Sequence, residues 1–370
     1  MPRLLERLRK RKNMQAKLLK LLALTFSLTI FSSAFANPSE PTEAGGENDI
    51  KKEIKQDISH HLQDSYDFHL FTDKETNTHY GFPLPVILWD GGLHVFMSSK
   101  FHHGEDIAES NGIYYMLHHN HIYKTDAEGT VKYDDEGHII NEKPFDISIT
   151  KNVFVSICVA LMIFLLFSGM AKHYKSGPLP KGFGRLMEPL VIFIRDEVAR
   201  PNIGDKHYRK YMGYLLTVFF FIWFLNMFGL TPLGINVTGN IAVTFALALI
   251  TFVITQFTAN KNYWQHIFWM PGVPYPMRII LAPIELLGVF IKPFALLIRL
   301  YANMSAGHVV MMSLIGLLFI FHNWFARGAF LGLTLFLSVI EFFVALLQAY
   351  IFTMLSALYF GMAVEEHGHH

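Results

Sequence analysis

The sequence predicts an all-α polytopic membrane protein with a small exported region, β-rich or mixed, ahead of the membrane domain. Five helices should cross the membrane, the last two long and strongly tilted as a hairpin. Three observations lead there. Of the 370 residues 52% are hydrophobic and the mean hydropathy is +0.30, too apolar for an ordinary soluble chain. The apolar residues are clustered, with no Asp, Glu, Lys or Arg in residues 152–171 or 211–260. About 20 mostly apolar residues cross a hydrocarbon core of roughly 30 Å, so these stretches qualify as spans. Finally, charge is polarised along the chain: residues 37–150 hold 21 acids, 8 Lys and no Arg, whereas residues 172–210 hold 9 Lys and Arg.

The chain opens with a basic stretch from Arg3 to Lys20, an apolar run from Leu21 to about Phe35, and the small-residue site Ala34-Phe35-Ala36. This is the pattern of a secretory signal peptide over residues 1–36, with an apolar run too short for a span. Met14 offers a second start. Residues 37–150 are then exported. They begin with a polar stretch to about Glu53 and continue with alternating segments such as 113–117 and turn signals at Glu128-Gly129 and Glu136-Gly137. Eleven His fall here, among them His102-His103 and His118-His119-Asn120-His121. Without a His-Glu-x-x-His motif or a Cys partner they read as a solvated surface rather than a metal site. The single cysteine, Cys158, has no intrachain partner for a disulfide.

The membrane domain occupies residues 151–370. Its first span, about 153–171, runs inward and delivers the nine basic residues to the cytoplasm, as the positive-inside rule requires. A second, about 211–230, returns outward to a Pro/Gly turn at 231–236. The third, about 240–259, goes back in, to a loop rich in Pro and Trp flanked by Lys261 and Arg278. Stretches 283–321 and 328–362 form a hairpin around His322-Asn323-Trp324, so the N-terminus lies outside and the C-terminus inside. The first of the two is ~58 Å long at 1.5 Å per residue, nearly twice the hydrocarbon thickness, which demands strong tilt. Pro293 supplies a bend.

Glu285, Lys292, Arg299, His308 and Glu341 interrupt these apolar helices. A charge at the bilayer centre costs about 2.5–3.5 kcal/mol and normally faces protein or water on an ion path. Snorkelling or a packing salt bridge is the plainer account of Glu285 and Lys292, near the cytoplasmic end. At 100° per residue Glu285, Lys292 and Arg299 share nearly one face with Asn303 and Ala306, and His308 points to the opposite side. Glu341 and Gln348 share a face of the last helix. Folding the hairpin sets Arg299 level with Gln348 and His308 level with Glu341, the two registers agreeing within ~3 Å. A His and a carboxylate at one depth can pass protons. Small residues around Arg299 (Ala295, Ala302, Ala306, Gly307) let a partner helix approach closely.

Pro283-Ile284-Glu285-Leu286-Leu287-Gly288, Lys292-Pro293 and the run from Arg299-Leu300-Tyr301 through Asn303 to Gly307-His308 closely resemble the signature of F-type ATP synthase subunit a. So do the segments around Gln348, Glu365-Glu366-His367 and Trp223 to Pro232, which contains Asn226. The resemblance covers about residues 150–367. It implies that Arg299 faces a rotating ring of c subunits, meets each ring carboxylate and separates two aqueous half-channels. It further implies Asn303 and Gln348 as polar neighbours of the arginine, His308 and Glu341 in the outer half-channel, Glu285 in the cytoplasmic one, and Asn226 along the proton path. The implied partners are the c ring, the b subunits of the peripheral stalk, the other synthase subunits and membrane lipid, in a bacterial inner membrane. With no P-loop in the chain, nucleotide chemistry belongs to partners, and no cofactor, metal or nucleic acid is expected. The family's N-terminal region is usually short, so residues 37–150 depart from it. A secondary transporter would show internal repeats with paired broken helices, which are not evident. A membrane-anchored receptor or metal binder would leave the charges of the hairpin unexplained.

Overall fold

The computed structural model describes residues 64–365 except 74–77, 105, 135–137, 177–183, 232–234, 270–272 and 322. The expected signal segment and the polar stretch after it lie outside the described residues. From residue 64 the chain builds antiparallel sheets: β1 (Asp67–Asp73) pairs with β2 (Thr78–Pro83), β3 (Pro85–Trp89) lies between β4 (Leu93–Met97) and β8 (Phe145–Asp146), and β6 (Ile113–His118) lies between β5 (Ile107–Ser110) and β7 (His121–Thr125). Two-residue hairpins explain part of this order. Asn111-Gly112 and His119-Asn120 all take positive φ, as tight turns matching the strand twist require. The His118–His121 cluster is therefore a hairpin tip.

Alternation sorts the strand side chains. Val86, Leu88 and Phe96 face Ala108, Tyr115 and Ile122 across a core closed by Tyr66 and Phe101. The opposite face of the β3–β4–β8 sheet is apolar yet exposed, with Trp89, Leu93, Val95, Met97, Phe145 and Ile147 outward. Pairing of β8 with β3 continues past the strand, since the amides of Ile147 and Ile149 donate to the carbonyls of Ile87 and Pro85. Phe68 and Phe82 stack at 4.9 Å, and both meet Phe154 edge-on.

Among the described residues five helices are long and apolar enough to cross a membrane: α1 (Lys151–Ser176), α4 (Tyr208–Gly229), α5 (Ile241–Thr258), α7 (Tyr275–Ile320) and α8 (Trp324–Val364). They coincide with the five expected spans to within a few residues, except that α7 starts eight residues early and runs unbroken through Pro283 and Pro293. Asn side chains cap two of them: Asn240 Oδ1 accepts from the Ala242 amide and Asn323 Oδ1 from Phe325. At 46 residues α7 is ~69 Å long, more than twice the hydrocarbon thickness.

The basic segment holds structure that periodicity did not suggest. Helix α2 (Gly184–Phe193) passes through a π-helical turn (Ile194–Ala199) into α3 (Arg200–Ile203). Asp196 binds both Arg195 (2.8 Å) and Arg200 (2.9 Å), and these pairings hold its carboxyl below the ordinary range. A further short helix, α6 (Lys261–Phe268), precedes α7. The membrane core centres on α4 against α8, with Tyr211 stacked on Phe360 at 4.6 Å.

Gly361 marks the tightest approach, where α8 lies on the carbonyl of Asn202 in α3. A methyl there would collide with backbone, which cannot move aside as a side chain can. Gly361→Ala is expected to destabilise the protein by about 1–3 kcal/mol. A thermal-shift measurement on the purified complex would register this as a lowered melting temperature; an unchanged one would contradict the close packing.

Candidate functional site

Two helix faces of α7 divide the polar groups. On one, Ala295, Arg299, Ala302, Asn303 and Ala306 recur at spacings of three and four and are all exposed. The Arg299 guanidinium takes no hydrogen bond or ion pair among the described residues. Glu285 and Lys292 were expected on this same face but are half-buried. Successive heptads drift by ~20° on a straight helix, enough over two steps to carry them round toward the protein. Lys292 Nζ reaches Met362 Sδ at 3.8 Å and lies 6.0 Å from the Tyr359 ring. It borders a narrow pocket shared with Thr251, Gln256 and Tyr263.

On the other face His308 is 5% exposed. Its ring rests over Gly229, where an added methyl would stand 3.1 Å from Nε2. The Glu341 carboxylate of α8 lies against Gly307, so closely that a methyl there would collide with it. Glu341 thus sits at the level of His308, as the hairpin register predicted. The side chains do not bond each other: the imidazole turns to α4 and the carboxylate to the α7 backbone. His308 Nε2 and Glu341 Oε2 are both buried without a hydrogen-bond partner. Such groups are rare in folded proteins and ask for an explanation.

Between these levels Gln348, 2% exposed, accepts a 2.8 Å hydrogen bond at Oε1 from Asn303 Nδ2. Its bond therefore goes one turn C-terminal of Arg299, the residue the register aligned with it. Asn226 is fully buried and engaged at both ends, donating to the Ala345 carbonyl (3.4 Å) and accepting from Thr238 Oγ1 (2.7 Å). It fastens α4 to α8 and to the turn of residues 235–240.

Asn236-Val237-Thr238-Gly239-Asn240 also resembles the family in sequence, but the sequence suggested no role for that turn. Its Ile235 carbonyl would stand 3.0 Å from a methyl at Gly229, and its Gly239 carbonyl accepts from Ser305 Oγ at 3.3 Å. Ser305 lies one turn from His308, so the turn forms part of the wall around the imidazole. Its bonding was signalled by the density of Asn, Thr and Gly in Asn236-Val237-Thr238-Gly239-Asn240, residue types that bond local backbone.

Apolar crossing helices that carry ionisable groups in their interior define a polytopic membrane protein of the kind that conducts ions. Residues 153–361, more than half of the chain, match the family model described as ATP synthase A chain. Residues 57–147 match a domain of unknown function. ATP synthase subunit a of Chloroherpeton thalassium is 46% identical over 232 residues, 60% of this chain and 69% of that one. ATP synthase subunit a of Chlorobium phaeobacteroides is 43% identical over 280 residues (72% and 79%), and ATP synthase subunit a 2 of Prosthecochloris aestuarii is 42% identical over 280 (72% and 84%). The chain belongs to the ATP synthase A chain family.

Proposed function

We propose that this chain is the proton-channel subunit of an F-type ATP synthase, working against a ring of c subunits. The observation that carries the proposal is the division of α7: an exposed Arg299 with no hydrogen bond or ion pair among the described residues, on a stripe of small residues, and buried His308 beside Glu341 on the other side. A cation on a flat helix face is incomplete until an acid from a neighbouring helix approaches. Ring carboxylates passing Arg299 supply it, and the cation favours their ionised form. The same charge repels protons and so separates two half-channels. His308 and Glu341 serve the outer one, each offering a buried atom free to exchange a proton. Glu285 serves the cytoplasmic one, and Asn303 and Gln348 keep the surroundings of Arg299 polar. Asn226 holds the helices that line the path.

The domain plan follows from this reading. Residues 1–36 direct export and are removed, residues 37–150 stand on the outer face of a bacterial inner membrane, and residues 151–370 form the membrane domain with a cytoplasmic C-terminus. The b subunits of the peripheral stalk hold the chain against the turning ring. A proton crossing 100 mV releases about 2.3 kcal/mol, so several must be summed per ATP, which a ring does.

Inverted vesicles holding the whole complex should acidify when given ATP. Vesicles assembled without this chain should hydrolyse ATP and stay neutral. Acidification in its absence would overturn the proposal.

A further inference from the structure

Asp64, at the start of the β region, touches more of the membrane domain than any function so far assigned to that region explains. Its Oδ1 accepts from the Asn152 amide (3.1 Å), an N–H that the first turn of α1 leaves without a helical partner. Its Oδ2 accepts from Thr150 Oγ1 (2.8 Å) and from Asn240 Nδ2 (3.3 Å). Asn240 caps α5 with its other amide atom, so one side chain is shared between the helix and Asp64. It also ends the 235–240 turn that lies against Gly229, Ser305 and Asn226 beside His308. One carboxylate therefore joins the β region, α1, α5 and the wall of the His308 compartment.

We infer that Asp64 is a positioning residue for proton entry, holding the 235–240 turn in place behind His308. The inference rests on the outer half-channel reading of His308 and Glu341. The β region thereby presents one fixed acceptor over the turn. Two effects act in the same direction. Releasing Asn240 loosens the wall behind the imidazole, and removing an anion near the entrance lowers the local proton concentration. The charged and titratable groups facing Asp64 are Lys151 at the start of α1 and Tyr66, which itself bonds Asp146; Thr150, Asn152 and Asn240 are neutral. Burial raises the Asp64 carboxyl above its ordinary range, against the lowering by Asn152, Thr150 and Lys151.

The test uses the whole complex in liposomes, with ATP synthesis driven by an imposed potassium potential while pH is varied on the outer face. Asp64→Asn leaves one accepting oxygen where the carboxylate offered two, so its NH2 must face either the Asn152 amide or Thr150 and Asn240, and Asn240→Asp turns an acceptor toward the Asp64 acceptor. The second change keeps a good cap on α5. Asp64→Asn, which loosens the wall and removes the anion together, should need at least about threefold more protons at that face for half-maximal synthesis, a shift of half a pH unit or more; Asn240→Asp loosens the same wall but adds an anion, and serves as the partner change for the double variant. The double variant D64N/N240D, with one donor again facing one acceptor, should return to the parental profile. An unchanged profile in assembled D64N complexes, or a double variant no better than D64N, would overturn the inference. Glu341→Gln in the same liposomes separates the two questions: if it sustains synthesis, the half-channel reading itself fails, whatever Asp64 does.

Discussion

Inverted vesicles carrying Arg299→Ala are expected to lose ATP-driven proton pumping, by a hundredfold or more, while the complex remains assembled. The exposed stripe of Ala295, Ala302 and Ala306 is smooth enough for a helix to slide along it, and the guanidinium is the one charge on it. No described protein group neutralises that charge, and on the proposed function a ring carboxylate would do so. Without the cation a carboxylate in hydrocarbon keeps its proton, because the charged form is strongly disfavoured by desolvation. On the proposed function a ring of neutral acids could then turn without being forced to release anything, and coupling would be lost. Arg299→Lys should recover little: an ammonium is a compact, strongly hydrated charge that gives up its proton readily when buried. Normal acidification by the alanine variant, with this chain present in the complex, would remove Arg299 from the coupling step.

Glu341→Gln should slow proton flow at least about tenfold in either direction while leaving assembly intact. The substitution preserves shape where shape is constrained, since the side chain lies tight on Gly307. It removes the one atom pair at that depth able to bind and release a proton next to His308. Proton transfer by a placed acid or base contributes typically 10²–10⁴-fold, so a tenfold loss is a conservative expectation. His308→Ala should behave similarly but less severely, because the carboxylate remains and the space vacated beside Gly229 can admit water. Flow measured by a pH-sensitive dye after an imposed potential reads both variants. Parental rates in the Glu341 variant would mean that protons enter by another route.

Much of this architecture was legible because the bilayer constrains sequence so strongly. Span lengths, the exclusion of charge from 152–171 and 211–260, and the basic block after the first span are set by the solvent and not by tertiary detail. The opposed faces of Arg299 and His308 followed from helical periodicity alone. What stayed hidden depended on partners far away in sequence. The early start of α7 is one case: Pro276 is tolerated in a first turn, and Pro283 and Pro293 sit in a helix that its neighbours hold together. The π-helical turn at 194–199 leaves no hydropathic period and is fixed by Asp196 with its two arginines. Equal-depth arithmetic found the level of Glu341 but not the turn of the His308 ring toward α4, because depth says nothing of side-chain direction. Asp64 could not be singled out among 21 acids of its region without the fold that brings Asn240 to it.

Helix α8 has two faces of different character. Its inner face is packed solid: Ala345, Gln348, Ala349, Phe352, Thr353, Ser356, Ala357 and Phe360 are all buried. Its outer face presents Ile340, Phe343, Leu347, Met354 and Leu358 to the surroundings. Mechanically, this makes α8 a braced beam. On the proposed function a ring turning past α7 and α8 would push sideways on them with every step, and an unsupported helix of this length would flex and absorb the stroke. Sideways thrust on the outer face instead passes straight through the beam to α4, and at its far end through the glycine contact to the Asn202 carbonyl. Stiffness at that joint, as much as the chemistry proposed for Arg299, would then set how little of each stroke is wasted in bending.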